Sequence, residues 1–249
     1  MAILFCLIVV ALYLLGGRRP VRLLGAPRRW NGRRWRATAF FVGVGMIAVV
    51  LSGPADEVAR QSFSARTAQL IGLLMVVAPL LVLGAPQPRM QRLIGRPTRS
   101  PGSSIWGPVA TFVLFSGMVG LAFVPAVYHA TAGPGWPRGL SQLAVVVLGY
   151  VFWSQVIAQP PARCRLSHLG RVAYLSLSSA QLRILGLVLG FAPASFYSVP
   201  LVDQQIAAGI VMVPGVLTDL VVLTVCLYLW LGQDDRRQPR RQQFQPRAG

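Results

Sequence analysis

The feature that most constrains this chain is an alternation: apolar runs the length of a membrane span are joined by short loops, and every second loop is dense in arginine. A hydrocarbon layer about 30 Å thick is crossed by about 20 residues of helix. Barrel strands would instead alternate polar and apolar residues over about ten positions, and these runs do not. The runs predict an all-α fold, a polytopic membrane bundle of about seven transmembrane helices, with spans at about 2–16, 37–53, 67–84, 106–127, 140–158, 172–191 and 206–231. Residues 1–231 then form one transmembrane domain, and 232–249 form a basic tail that is expected to be disordered.

Arginine placement predicts the orientation. The loop after the first run carries Arg18, Arg19, Arg22, Arg28, Arg29, Arg33, Arg34 and Arg36. Later clusters are Arg89, Arg92, Arg96 and Arg99, then Arg163, Arg165 and Arg171, then Arg236, Arg237, Arg240, Arg241 and Arg247. Basic loops stay in the cytoplasm, so the N-terminus is expected outside and the C-terminal tail inside. A cleavable signal peptide carries its charge before the apolar run. Here the charge follows it, so the first run is read as an uncleaved span. Trp30 and Trp35 suit the headgroup layer.

The chain is 54% hydrophobic and 12% charged, where a soluble domain has about a quarter charged residues. A formal net charge of +18 could indicate nucleic acid. The positions of the arginines between apolar runs point instead to a lipid bilayer with anionic headgroups, and no nucleic-acid partner is expected. Cys6, Cys164 and Cys226 stand far apart without metal-ligand spacing, so neither zinc nor a disulfide is expected. His129 and His168 fall in loops on opposite faces, and the methionines are scattered. No catalytic signature is present, and the chain is not expected to be an enzyme.

Two charges interrupt apolar spans, Arg183 and Asp219. Each lies about twelve residues from the cytoplasmic end of its helix, marked by Arg171 and Leu231. On sequential antiparallel helices they reach similar depth, and an unpaired charge there costs several kcal/mol. An intramembrane ion pair is therefore expected, either a structural pin or part of a relay or docking site. Ser178, Ser179, Gln181 and Thr218 are candidates to complete its hydrogen bonds.

Several segments resemble the CtaG-like cytochrome c oxidase assembly proteins. They are Arg36 through Leu51-Ser52-Gly53-Pro54; Phe63-Ser64-Ala65 with Gln69 and Ala78-Pro79 through Gly84-Ala85-Pro86; Gly149-Tyr150-Val151-Phe152-Trp153; and Leu201 through Gly215, which contains Asp203, Gln204, Gly209, Met212 and Pro214. The likeness covers roughly residues 30–231. It implies a seven-helix protein of the bacterial plasma membrane that assists maturation of a haem-copper oxidase, with oxidase subunits or other assembly proteins as partners. It also implies a link to copper delivery.

The chain departs from the family pattern at the metal. Where the family carries histidines one helical turn apart, this sequence has Arg66 and Leu70. Where further histidines are usual before the Phe-Trp helix, it has Ser141 and Gln142. A cationic Arg66 opposes a bound metal ion, so copper is expected to bind weakly or not at all there. Asp203, Met212 and His129 are the residues left to hold copper. Two other readings stay open at this stage: a small-solute or ion transporter, and a structural subunit of a respiratory complex.

Overall fold

The computed structural model describes residues 10–11, 30–84, 106–133, 135–157 and 166–242. The expected first span lies outside these residues except for positions 10 and 11, which are helical, with Val10 against the core. Cys6, Cys164 and the loop from Arg89 to Arg99 also lie outside them.

The described residues are helical, without strands. Helix α1 (Trp30–Leu51) is followed by α2 (Pro54–Gln61) and α3 (Phe63–Gly72), a π-helical turn (Leu73–Val77) and α4 (Ala78–Leu83). Then come α5 (Trp106–Ala122), α6 (Pro125–Ala132), α7 (Trp136–Val156), α8 (His168–Gly190) and α9 (Leu201–Gln242). Four helical stretches are long and apolar enough to cross a membrane: Phe63–Leu83, Trp136–Val156, Leu169–Gly190 and Leu201–Leu220. The number rises to six if the bent pairs α1–α2 and α5–α6, angled by 52° and 73°, each count as one span.

The α5–α6 bend breaks the span expected over 106–127, whereas the α1–α2 bend falls where that span was expected to end, and proline accounts for both. Pro54 and Pro125 occupy the first turns of α2 and α6, where a missing N–H costs nothing, but neither can continue the helix before it. The segment after Pro54, expected to be a short polar loop, is thus the amphipathic helix α2. Helix α9 runs on to Gln242, past the end expected at Leu231. Residues 233–242 are mostly glutamine and arginine, straight-chain residues of good helix propensity, and the helix continues through both Gly232 and Pro239.

The stretch Phe63–Leu83 is the hub: α1, α7 and α9 all pack on it, α5 packs on α7, and α8 pairs along α9. Its π-turn leaves a backbone carbonyl free. The Ala78 N–H reaches back to the Leu73 carbonyl, and position 79 is proline, so the Leu74 carbonyl has no donor in its own helix. The Trp153 indole N–H supplies one at 2.8 Å. Close approach of α7 requires Gly149, because a Cβ there would lie 3.1 Å from the Ala78 Cβ and 3.2 Å from the Leu74 side chain. Behind this contact, Phe152 stacks between Phe115 and Tyr174, at centroid distances of 4.0 and 4.7 Å.

The outside of the bundle is as telling as its core. Val113, Leu114, Ile184, Val213, Leu217 and Leu220 are all more than half exposed, while Asp56, Arg138 and Gln204 are buried. Soluble proteins arrange these residue types the other way round. Exposed aliphatic helix faces with polar groups satisfied inside are what a hydrocarbon solvent demands.

Candidate functional site

A set of buried polar residues, Asp56, Thr131, Arg138 and Gln204, lies at the end of the bundle where α2, α6 and the 191–200 loop lie. Asp56 is their centre. Its Oδ1 accepts from Arg138 Nε and Nη2 at 3.1 and 2.7 Å and from Gln142 Nε2 at 3.2 Å. Its Oδ2 accepts from Arg60 Nη2 at 2.8 Å, one helical turn away. The Arg138 side chain is 5% exposed, so this is a buried ion pair linking α2 to α7. Arg60 also reaches Glu57 at 3.7 Å, while Arg66, close to Asp56 in sequence, forms no ion pair with it.

Asp203 lies in the first turn of α9 and caps another helix. Its carboxylate accepts from Ser62 Oγ at 2.9 Å and from the N–H groups of Phe63 and Ser64 at 2.7 and 3.2 Å. The first N–H groups of a helix have no partner within it, and a carboxylate both satisfies them and opposes the helix dipole. This cap starts α3 at Phe63, four residues before the span expected from Thr67. Gln204, fully buried, ties down the 191–200 loop by donating to the Leu189 carbonyl and accepting from the Phe196 N–H, both at 2.9 Å. Nearby, Phe63, Tyr128 and Tyr197 form an aromatic cluster. Burial pushes the Tyr197 hydroxyl up to about 12, so it stays protonated and donates to the Phe123 carbonyl at 2.5 Å.

Between α3, α6 and α7 lies a cavity of about 60 Å³. Arg66, Gln69, Thr131, Arg138, Ser141 and Gln142 form its polar lining. Arg66 donates to Thr131 Oγ1 and, at 3.4 Å, to the Tyr128 carbonyl, and its guanidinium lies 4.7 Å from the Tyr128 ring centre. No carboxylate among the described residues pairs with it.

A family model described as cytochrome c oxidase caa3 assembly factor matches residues 11–233. The chain belongs to the caa3 assembly factor family. Uncharacterized proteins of Mycobacterium bovis and Mycobacterium tuberculosis are each 24% identical to it over 245 residues, covering 85% of this chain and 37% of theirs. A third, from Mycobacterium leprae, is 24% identical over 239 residues, 84% of this chain and 36% of its own length. The chain thus spans little more than a third of the curated relatives it matches. No solved structure matches it.

The segments that resemble the CtaG-like proteins meet in space. Asp203 caps the Phe-Ser-Ala segment, and Trp153 serves the carbonyl freed ahead of Pro79. Arg66 and Leu70, where the resemblance led one to expect histidines, line the same cavity as Ser141 and Gln142, the second such stretch. The fold therefore joins these two stretches and furnishes them with guanidinium, amide and hydroxyl groups.

The substitute copper ligands suggested by sequence do not assemble. Asp203 and Met212 are nine residues apart on one helix, two and a half turns, which puts them on opposite faces roughly 13 Å apart along the axis. Asp203 already accepts from three protein donors. Met212 packs on α8, where a Cβ on Gly186 would lie 2.5 Å from its Cγ. His129 is exposed, its ring against the edge of Tyr128. Among the described residues no group of three or more His, Cys, Asp or Glu could hold a metal ion. These residues do not fit a bound copper ion.

Of the other motif positions, Gly209 faces open space and Pro214 is buried. Arg183 and Asp219 form an ion pair between α8 and α9. Ser179 Oγ donates to Asp219 Oδ1 at 2.7 Å, while Gln181 turns away to the Ser116 carbonyl at 2.8 Å. Sequence reasoning missed the Asp56–Arg138 pair. Its available signal was the scarcity of acid: Asp56 is one of six acidic residues in a chain of 24 arginines.

Proposed function

We propose that this chain assists assembly of a haem-copper cytochrome c oxidase through protein contacts, as a multi-pass protein of the bacterial plasma membrane with no catalytic step of its own. The observation that carries this reading is the family match over residues 11–233. The meeting of the family-like segments in one packed core supports it, because the match then concerns a shared architecture rather than scattered apolar runs. Its partners are oxidase subunits or other assembly proteins.

We infer the orientation from arginine. All arginines except Arg60, Arg66, Arg138 and Arg183 fall in the N-terminal segment to Arg36, the 89–99 and 163–171 stretches or the tail. The positive-inside rule assigns these to the cytoplasm. The cavity then lies towards the outer face. A reporter fused at the C-terminus should be active in the cytoplasm, and an extracytoplasmic signal would reverse the assignment.

Deletion of the gene tests the function. The expected result is loss of oxidase haem absorbance and of oxygen consumption, restored by the chain but not by added copper. Pull-down under mild detergent should recover immature oxidase, with the chain absent from the finished enzyme. Normal oxidase in the deletion strain would refute the assembly reading, and rescue by copper alone would mean that copper supply is the missing step.

A further inference from the structure

The cavity beside Arg66 is built for an anion. Asp56 is already shared by Arg138, Arg60 and Gln142, so it does not neutralise a further cation. Among the described residues, Arg66, on the facing helix, has a carbonyl, a hydroxyl and the face of Tyr128 as its partners. Its Nε donates to nothing among the described residues. A half-buried guanidinium served by neutral groups alone is incompletely compensated, and a carboxylate is the planar acceptor that its fork matches. The same cavity is also lined by the aliphatic side chains of Leu70, Leu73 and Val145. The site thus offers one unmatched positive charge, amide and hydroxyl groups beside it, and aliphatic surface for a short stem.

We propose that this cavity binds a carboxylate carried on a short aliphatic stem, the propionate unit common to small carboxylic acids and to glutamate side chains. The size agrees, since about 60 Å³ holds a few water-sized bodies and not an extended ligand. A phosphate dianion would bring more negative charge than Arg66 leaves unmatched. The aliphatic side chains would contribute nothing to it. The site is distinct from the copper role of the family, because two arginines line it, and the inference does not depend on the assembly reading.

The test uses the full chain in detergent micelles. Thermal unfolding is followed in sodium propionate, in the α-amide of N-acetylglutamate, in inorganic phosphate and in sodium chloride, all at equal ionic strength. The expected result is a saturable rise in Tm with one or both carboxylates, beyond that in chloride or phosphate. Propionate alone would assign the site to a free acid. The glutamate derivative alone would assign it to an acidic side chain of a protein partner. Arg66→Gln should weaken the apparent affinity at least tenfold, and so should Val145→Phe, which fills the cavity but keeps its charge. Arg171→Gln, which removes a charge at the far end of α8, should leave the affinity unchanged. A wild-type response to phosphate or chloride as large as that to the carboxylates would overturn the proposal, as would no response at all. So would a folded Arg66→Gln protein that binds as the wild type does.

Discussion

Arg138 and Asp56 meet at one end of the bundle with side chains 5% and 11% exposed, whereas Arg183 and Asp219 meet within the apolar stretch of α8 and α9 with side chains 45% and 30% exposed. The first pair is walled in by Arg60, Gln69 and Gln142 from three helices. The second has Ser179 as its further side-chain partner and opens onto an aliphatic surface. Removal of one member therefore leaves different consequences. At Asp56 the stranded guanidinium is enclosed by protein. At Asp219 the stranded arginine has a long stem and room to reach other partners.

The largest expected effect is at the enclosed pair. Asp56→Ala should destabilise by about 3–5 kcal/mol, the range for a buried ion left alone, read as a drop in the unfolding midpoint in detergent. Arg183→Leu or Asp219→Leu should each cost less, about 1–2 kcal/mol, because polar groups in membranes find other partners. The double change to leucine should recover most of that loss. Equal costs at the two sites would break the comparison, since enclosure would then not matter. A double mutant no better than the singles would show that the α8–α9 pair does more than pin the two helices.

A smaller effect sharpens the same contrast with an uncharged bond. Trp153→Phe keeps most of the packing but strands the Leu74 carbonyl, for a loss of about 1–3 kcal/mol. A stability unchanged within error would mean that the π-turn satisfies itself. The smallest effect is expected at Gly209, whose Cβ position faces open space in a helix interior. Gly209→Ala should raise stability by up to about 1 kcal/mol, and a marked loss would reveal a contact of this face in the intact protein.

Much of the architecture was legible in apolar run length. Spans near 67–84, 140–158 and 172–191 correspond to Phe63–Leu83, Trp136–Val156 and Leu169–Gly190, shifted by a few residues at their starts. The shifts come from caps and first-turn prolines that hydropathy does not register: Ser62 with Asp203, Ser167, and Pro137. Arg183 and Asp219 could be matched because depth along consecutive antiparallel helices is a matter of counting residues. Asp56 and Arg138 could not, because they are 82 residues apart and belong to helices that are not consecutive.

Sequence by itself determined that this chain is a helical membrane protein and which family it resembles, because both depend on composition and order along the chain. It also placed Arg66, Leu70, Ser141 and Gln142 at the positions where the resemblance leads one to expect histidines. Only the tertiary structure decided that Arg66, Leu70, Ser141 and Gln142 share one cavity, that Asp203 caps α3, and that Asp203 and Met212 face opposite ways. Those facts depend on the rotation of each helix about its axis and on which helices touch. Both are fixed by side-chain packing and by hydrogen bonds between segments far apart in the chain.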